Sequence, residues 1–143
     1  MPSREPMTFT GSCHCQNLKV SFETAIAPDA IEVRLCQCSF CRRHNQRSVT
    51  DPKGLAVIAI ADPAIVSRYR FGLGTCEFLI CSRCGVYVAA VMEADGEAWA
   101  TINVNALDDR DRFGPGKPVS FEGENAGSRV ERRKARWTPA RYA

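Results

Sequence analysis

No stretch of this 143-residue chain is apolar over the roughly 18 residues that a membrane-spanning helix needs. Its first residues, Met1 to Pro6, lack the apolar core of a secretory signal. There is no internal repeat, no low-complexity run and no Gly/Ser linker, so one domain is expected. Charge of neither sign dominates: 19 basic residues against 16 acidic ones exclude a simple polycation. A hydrophobic fraction of 45% excludes a largely disordered chain. Histidine occurs only twice, whereas cysteine occurs eight times. The sequence thus predicts a soluble, cytoplasmic protein that does not enter membranes. In that reducing compartment, clustered thiols bind metal or do chemistry rather than pair as disulfides.

Segments alternating with period two predict strands with one buried face. Leu18, Val20 and Phe22 alternate with Lys19, Ser21 and Glu23, and Ile31, Val33 and Leu35 alternate with Glu32 and Arg34. Leu55–Ile60 reads as a more buried strand, and Glu77–Ile80 and Val86–Met92 flank a cysteine turn. Ala94-Asp95-Gly96 supplies a hairpin turn before Ala98–Val104. Helical signals are sparse: Ser39 can cap a short helix through Arg42 and Arg43, and 109–118 reads as loop. The expected division is a flexible end at 1–8, a mainly β zinc-binding domain at 9–128, and a basic tail at 129–143. That tail holds six basic side chains against Glu131 alone, +5 of a formal +3, which leaves −2 on the rest. It reads as a solvated terminus or as a strap docking Trp137 on the sheet. With only Trp137 and Tyr142 interleaved, nucleic acid is not the expected partner.

The cysteines fall into groups. Cys81-Ser82-Arg83-Cys84-Gly85 is a knuckle in which two thiolates converge, with Gly85 free to take the dihedrals of the turn. Cys13-His14-Cys15 is a plausible other half, because residues i and i+2 of an extended chain point to one side. Cys36, Cys38 and Cys41 place three thiolates in six residues. If the two pairs complete one four-cysteine site, this triplet holds a second ion with an open position, as catalytic zinc requires. The alternative is closure by His14 or His44, which makes the second ion structural. Arg42, Arg43 and Arg47 are candidates to hold an anionic thiol, and His44 is a candidate acid–base group. Cys76 stands alone, as a redox thiol or a small buried hydrophobe.

Gly11-Ser12-Cys13-His14-Cys15, Cys36-Gln37-Cys38-Ser39-Phe40-Cys41-Arg42-Arg43 and Cys81-Ser82-Arg83-Cys84-Gly85 together resemble the glutathione-dependent formaldehyde-activating enzyme family, which shares its domain with centromere protein V. With Val104-Asn105-Ala106-Leu107-Asp108 the resemblance spans roughly residues 9 to 110. It implies an Mss4-like fold of small coiled antiparallel sheets with zinc-ribbon-like elements, holding two zinc ions. Cys13, Cys15, Cys81 and Cys84 match the structural ligands, and Cys36, Cys38 and Cys41 match those of the catalytic ion. Cys76 matches no ligand position. The implied activity is that of a carbon–sulfur lyase on adducts of glutathione, or a similar thiol, with formaldehyde or another aldehyde. Two other functions remain open: a non-catalytic zinc module binding protein or nucleic acid, and a thiol-dependent reductase using Cys76.

Overall fold

The computed structural model describes residues 5–143. In chain order the first strands are β1 (Met7–Ser12), β2 (Leu18–Thr24) and β3 (Arg34–Cys36), followed by helix α1 (Ser39–Arg43). Then come β4 (Ser48–Val49), β5 (Leu55–Ile60), β6 (Val66–Tyr69), β7 (Glu77–Cys81), β8 (Tyr87–Ala94) and β9 (Glu97–Asn103). The chain ends with β10 (Lys117–Val119), helix α2 (Ala126–Arg136) and β11 (Thr138–Tyr142). The mainly β expectation therefore holds, although all eleven strands join one mixed sheet rather than several antiparallel ones. Its parallel pairs are β3 with β10 and β5 with β11.

The sheet branches at β9. One edge of β9 runs antiparallel to β8 over six residues, closing the hairpin expected at Ala94–Gly96. Its other edge is divided: Ala98–Ala100 pair with β11, and Ile102 and Asn103 pair with β4. Alternation decides what each strand buries. On β2, Leu18, Val20, Phe22 and Thr24 are buried while Lys19 stays in solvent. On β8, residues Tyr87 to Met92 are all buried, because both of its faces are covered. Val88, Ala89 and Val91 pack into a core with Phe9, Leu18, Phe22 and Ile58. Tyr87, Ala90 and Met92 pack into a second core with Phe78 and Trp137. A register shift between Leu79 and Ile80 in the β7–β8 pairing accompanies this division.

Several expectations change. The helix after the triplet forms, but its cap is Cys38 rather than Ser39, with Cys38 Sγ accepting from the Cys41 N–H. The 31–35 alternation yields strand only from Arg34, although Ile31 and Val33 are buried. The 109–118 loop contains a short 3-10 turn (Arg110–Arg112) and the start of β10. Of the flexible end expected at 1–8, residues 1–4 lie outside the described residues, while Met7 and Thr8 open β1. The largest change concerns 129–143. Far from trailing off the domain, it supplies most of α2 and then β11, which sits between β5 and β9 inside the sheet. An Asn125/Ser128 capping box starts that helix. Trp137 at its end is buried.

Candidate metal centre and cavity

Seven of the eight cysteines form two groups on different cores. In the first, β1 delivers Cys13 and a tight turn delivers Cys15, while β7 ends at Cys81 and its turn carries Cys84. Both turns use left-handed backbone, at Gln16 (φ 68°) and Gly85 (φ 80°). The Gly85 N–H donates to Cys81 O at 2.7 Å, and the Leu18 N–H donates to Cys13 Sγ at 3.3 Å. Cys15 Sγ lies 3.7 Å from Cys13 Sγ and 3.5 Å from Cys81 Sγ, and all four sulfurs lie within 4.8 Å of one another. A tetrahedron of sulfurs about 2.3 Å from a zinc ion has edges of about 3.8 Å, so the donor set fits a soft divalent ion. Burial pushes the Cys13 thiol up to about 11. At Cys84 burial works in the same direction, yet backbone N–H groups of Cys15 and Val86 outweigh it and bring the thiol down to about 6. The group thus holds thiols of very unequal acidity, and binding an ion requires Cys13 to give up its proton.

The second group comprises Cys36 at the end of β3, Cys38 at the cap of α1 and Cys41 within α1, again with sulfurs within 4.8 Å. Hydrogen bonds from Cys36 and then Cys41 hold the Cys38 thiol far below its ordinary range. The bond with Cys38 pushes Cys36 up, and the bonds with Cys36 and then Cys38 push Cys41 up. Phe40, between these ligands, anchors α1 to an aromatic group. Its ring centroid lies 4.5 Å from Phe78, 5.1 Å from Tyr87 and 5.6 Å from Phe71. The donors fit a metal ion as three thiolates, and among the described residues no fourth His, Cys, Asp or Glu completes the group.

All three triplet cysteines line a cavity of about 450 Å³. Its apolar wall is Phe71, Phe78, Tyr87, Ala90 and Trp137. Burial pushes the Tyr87 phenol well above its ordinary range, so it is neutral near pH 7. The sequence-predicted arginines separate here. Arg42 reaches the cavity. Arg43 instead donates to Ser39 O, and Arg47 staples the 105–114 segment through Asn105 Oδ1, Arg110 O, Phe113 O and Gly114 O. His44 packs at 4.5 Å on Phe40 and does not line the cavity. His14 is exposed. Cys76 is buried in the cavity wall, where desolvation pushes its thiol up despite nearby Arg133. That suppresses the nucleophilic thiolate a Cys76-based reductase needs.

Sequence reasoning missed the cations that do face the cavity: Arg34, Arg129, Arg132 and Arg133. Three of them come from α2, in the segment whose composition reads as a tail. The clue was the Asn125-x-x-Ser128 start, followed nine residues later by a tryptophan.

The sequence model of the glutathione-dependent formaldehyde-activating enzyme family matches residues 8–122. The chain belongs to this family. The match takes in both cysteine groups and stops before α2. A crystal structure of a Rhodobacter sphaeroides protein, solved as a structural genomics target, is similar at a TM-score of 0.48 and 23% identity, covering 69% of this chain and 87% of that one. No curated protein matches in sequence. Among the described residues, no helix is long and apolar enough to cross a membrane.

Proposed function

We propose that this family member is a two-zinc carbon–sulfur lyase acting on adducts of glutathione, or a closely similar thiol, with formaldehyde or another small aldehyde. One observation carries the reading: three thiols, not four, converge at the wall of a cavity. Four thiolates close a coordination sphere, whereas three leave a position for a substrate sulfur. Cys13, Cys15, Cys81 and Cys84 hold a structural ion within an Mss4-like arrangement. Cys36, Cys38 and Cys41 hold the ion that serves catalysis. A zinc ion at the triplet supplies Lewis acidity, which keeps a thiol sulfur deprotonated at neutral pH.

The chain's own residues do the rest. Phe71, Phe78, Tyr87 and Trp137 exclude bulk water and strengthen the electrostatic contacts inside. Phe40 fixes the triplet against them. Holding sulfur and carbonyl carbon together converts a bimolecular addition into a local one. In the adduct-forming direction the sulfur–carbon bond forms, the carbonyl π pair moves to oxygen, and that oxygen takes the proton lost by the thiol. The reverse direction breaks the same bond, and neither direction needs an oxidant. Eight unpaired cysteines suit a reducing compartment, so we place this activity in the cytoplasm.

The test joins stoichiometry to exchange. Purified protein should carry two zinc ions per chain, and the Cys36→Ser variant one. Two-dimensional exchange NMR should show glutathione and formaldehyde interconverting with S-hydroxymethylglutathione faster with the protein than in buffer. One zinc per chain in the wild type, or exchange no faster than buffer with two, would sink the proposal.

A further inference from the structure

The cavity contains a buried cation that no carboxylate pairs with among the described residues. Arg133 is 8% exposed, in the last turn of α2, and contributes to the cavity wall. Its Nη1 donates to Thr75 Oγ1 at 2.7 Å, and its guanidinium lies 4.5 Å from the centroid of Trp137. Its Nε has no hydrogen-bond partner, and it forms no ion pair among the described residues. The other arginines of the wall differ. Arg129 and Arg132 share one carboxylate, Glu124, at 3.0 and 2.8 Å. Arg34, like Arg133, donates to a threonine hydroxyl, that of Thr50, but it is only half-buried, and Arg42 is exposed to water. Cys76 is a hydrogen-bonding neighbour of the Arg133 guanidinium, but it is no carboxylate, and burial favours its neutral thiol.

A guanidinium remains protonated even when buried, and an unpaired buried charge costs several kcal/mol (on the order of 3–5 when a partner is removed). Stacking on Trp137 offsets only a part, about 2 kcal/mol at best. The same cavity contains a second unanswered group: Gln46 is 4% exposed, lines the wall, and its Oε1 accepts no hydrogen bond. A cation and an acceptor, both buried and both incomplete, are complementary to a ligand carrying a carboxylate together with an N–H donor.

We propose that Arg133 is a specificity-determining anchor for a carboxylate of the peptidic thiol that enters this cavity, with Gln46 accepting from an amide or ammonium N–H of the same molecule. The proposal deepens the reading of the triplet as a thiol site, but the carboxylate contact stands without any metal chemistry. It also gives a role to α2, which lies beyond the family match at residue 122. This helix sets which thiols the cavity accepts. Neutral thiols reach the triplet without the anchor, and anionic peptidic thiols are selected.

S-methylglutathione separates the two readings, because it keeps both carboxylates and has no free thiol. The Trp99→Phe chain, in its metal-loaded form, leaves Trp137 as the single tryptophan. Titration should change its emission with S-methylglutathione, and the diethyl ester should bind at least about tenfold more weakly, in line with a charge-assisted contact. Adding Arg133→Met should abolish the acid-over-ester preference, and Arg133→Lys should restore part of it. Equal binding of acid and ester overturns the proposal, as does a preference that survives Arg133→Met. If the Met variant fails to fold, the acid-to-ester ratio in the Trp99→Phe chain decides alone. Binding of S-methylglutathione without accelerated formaldehyde exchange would instead leave the anchor standing and remove the lyase reading.

Discussion

The two cysteine groups hold similar chemistry in opposite settings. Cys13 and Cys81 belong to the larger core, where Leu18, Phe22 and Leu79 are fully buried around them. Cys41 belongs to the smaller core, and its group opens onto a cavity roofed by α2. The first group draws on two turns separated by 66 residues between Cys15 and Cys81, so whatever binds there ties distant parts of the chain together. The second draws on six consecutive residues and ties together almost nothing. A metal that closes a long loop contributes to folding, whereas one held by a local motif is left free to contribute to chemistry.

The most decisive way to break this comparison is to remove one ligand from each group. Structural zinc is worth on the order of 10 kcal/mol in the smallest metal domains. Here a hydrophobic core contributes as well, and Cys81→Ser should cost about 3 kcal/mol or more, read as a fall in the urea midpoint and in Tm. Cys36→Ser should cost under about 1 kcal/mol and abolish thiol–aldehyde exchange. Equal destabilisation by the two substitutions would mean that both ions are structural.

A smaller effect comes from the strand that delivers Cys13. Gly11 is the point where β1 crosses the 106–107 segment, bridged to Leu107. A Cβ there would overlap Ala106 O and stand 2.7 Å from Leu107 Cα, both of them backbone atoms with little room to yield. Gly11→Ala should therefore cost about 2–3 kcal/mol, the upper range for overpacking a core. Because the strain enters on the four-thiol side, competition with a chelator should strip that ion faster while leaving binding of S-methylglutathione in the cavity unchanged. A variant with normal stability would show that β1 shifts freely, and that the closed site is less rigid than its burial implies.

Period-two alternation foretold β2, and apolar segments bounded by turn residues foretold β5, β7, β8 and β9, of which β8 is buried on both faces. Cysteine spacing foretold which thiols meet within each motif, since the turns and the i, i+2 pairs are local geometry, whereas the joining of Cys13 and Cys15 with Cys81 and Cys84 is what the family resemblance implied. The roof of the cavity escaped notice because its logic is not local. Helix α2 has only Val130 as a sizeable apolar side chain, so it shows no hydrophobic stripe, and it is held in place by arginines. Thr138 is fully buried in β11 and accepts from the Asp51 N–H at 2.9 Å, a contact spanning 87 residues. Pro139 and Arg141 give that strand no alternation to read. Arg43 and Arg47 were natural choices as anion binders from proximity alone, yet Arg43 turns back onto its own five-residue helix and Arg47, beyond that helix, reaches the 105–114 segment. Three of the arginines that do face the cavity come from α2, far along the chain from the triplet.

The smallest predicted effect probes that roof, and it is the one that the four-thiol side should not feel. Glu124 joins Arg129 and Arg132 on α2 to the 121–124 segment, where the Arg132 guanidinium stacks 3.5 Å from the centroid of Phe121. The Arg132 hydrogen bond, joined by that of Arg129 and opposed by burial, holds the Glu124 carboxyl below its ordinary value of 4.5. A carboxyl depressed in the folded state stabilises above its unfolded value and loses that contribution as pH falls through the folded one. Glu124→Gln should thus cost about 1 kcal/mol at pH 7, in keeping with a half-screened ion pair. The gap between variant and wild type should close as pH drops below 4.5. Acid protonates the cysteine groups of both proteins alike, so the difference between their urea midpoints isolates Glu124. A gap that persists unchanged at low pH would mean that the carboxyl acts through its shape and not its charge, and that α2 is held over the cavity by Phe121 and Trp137 alone.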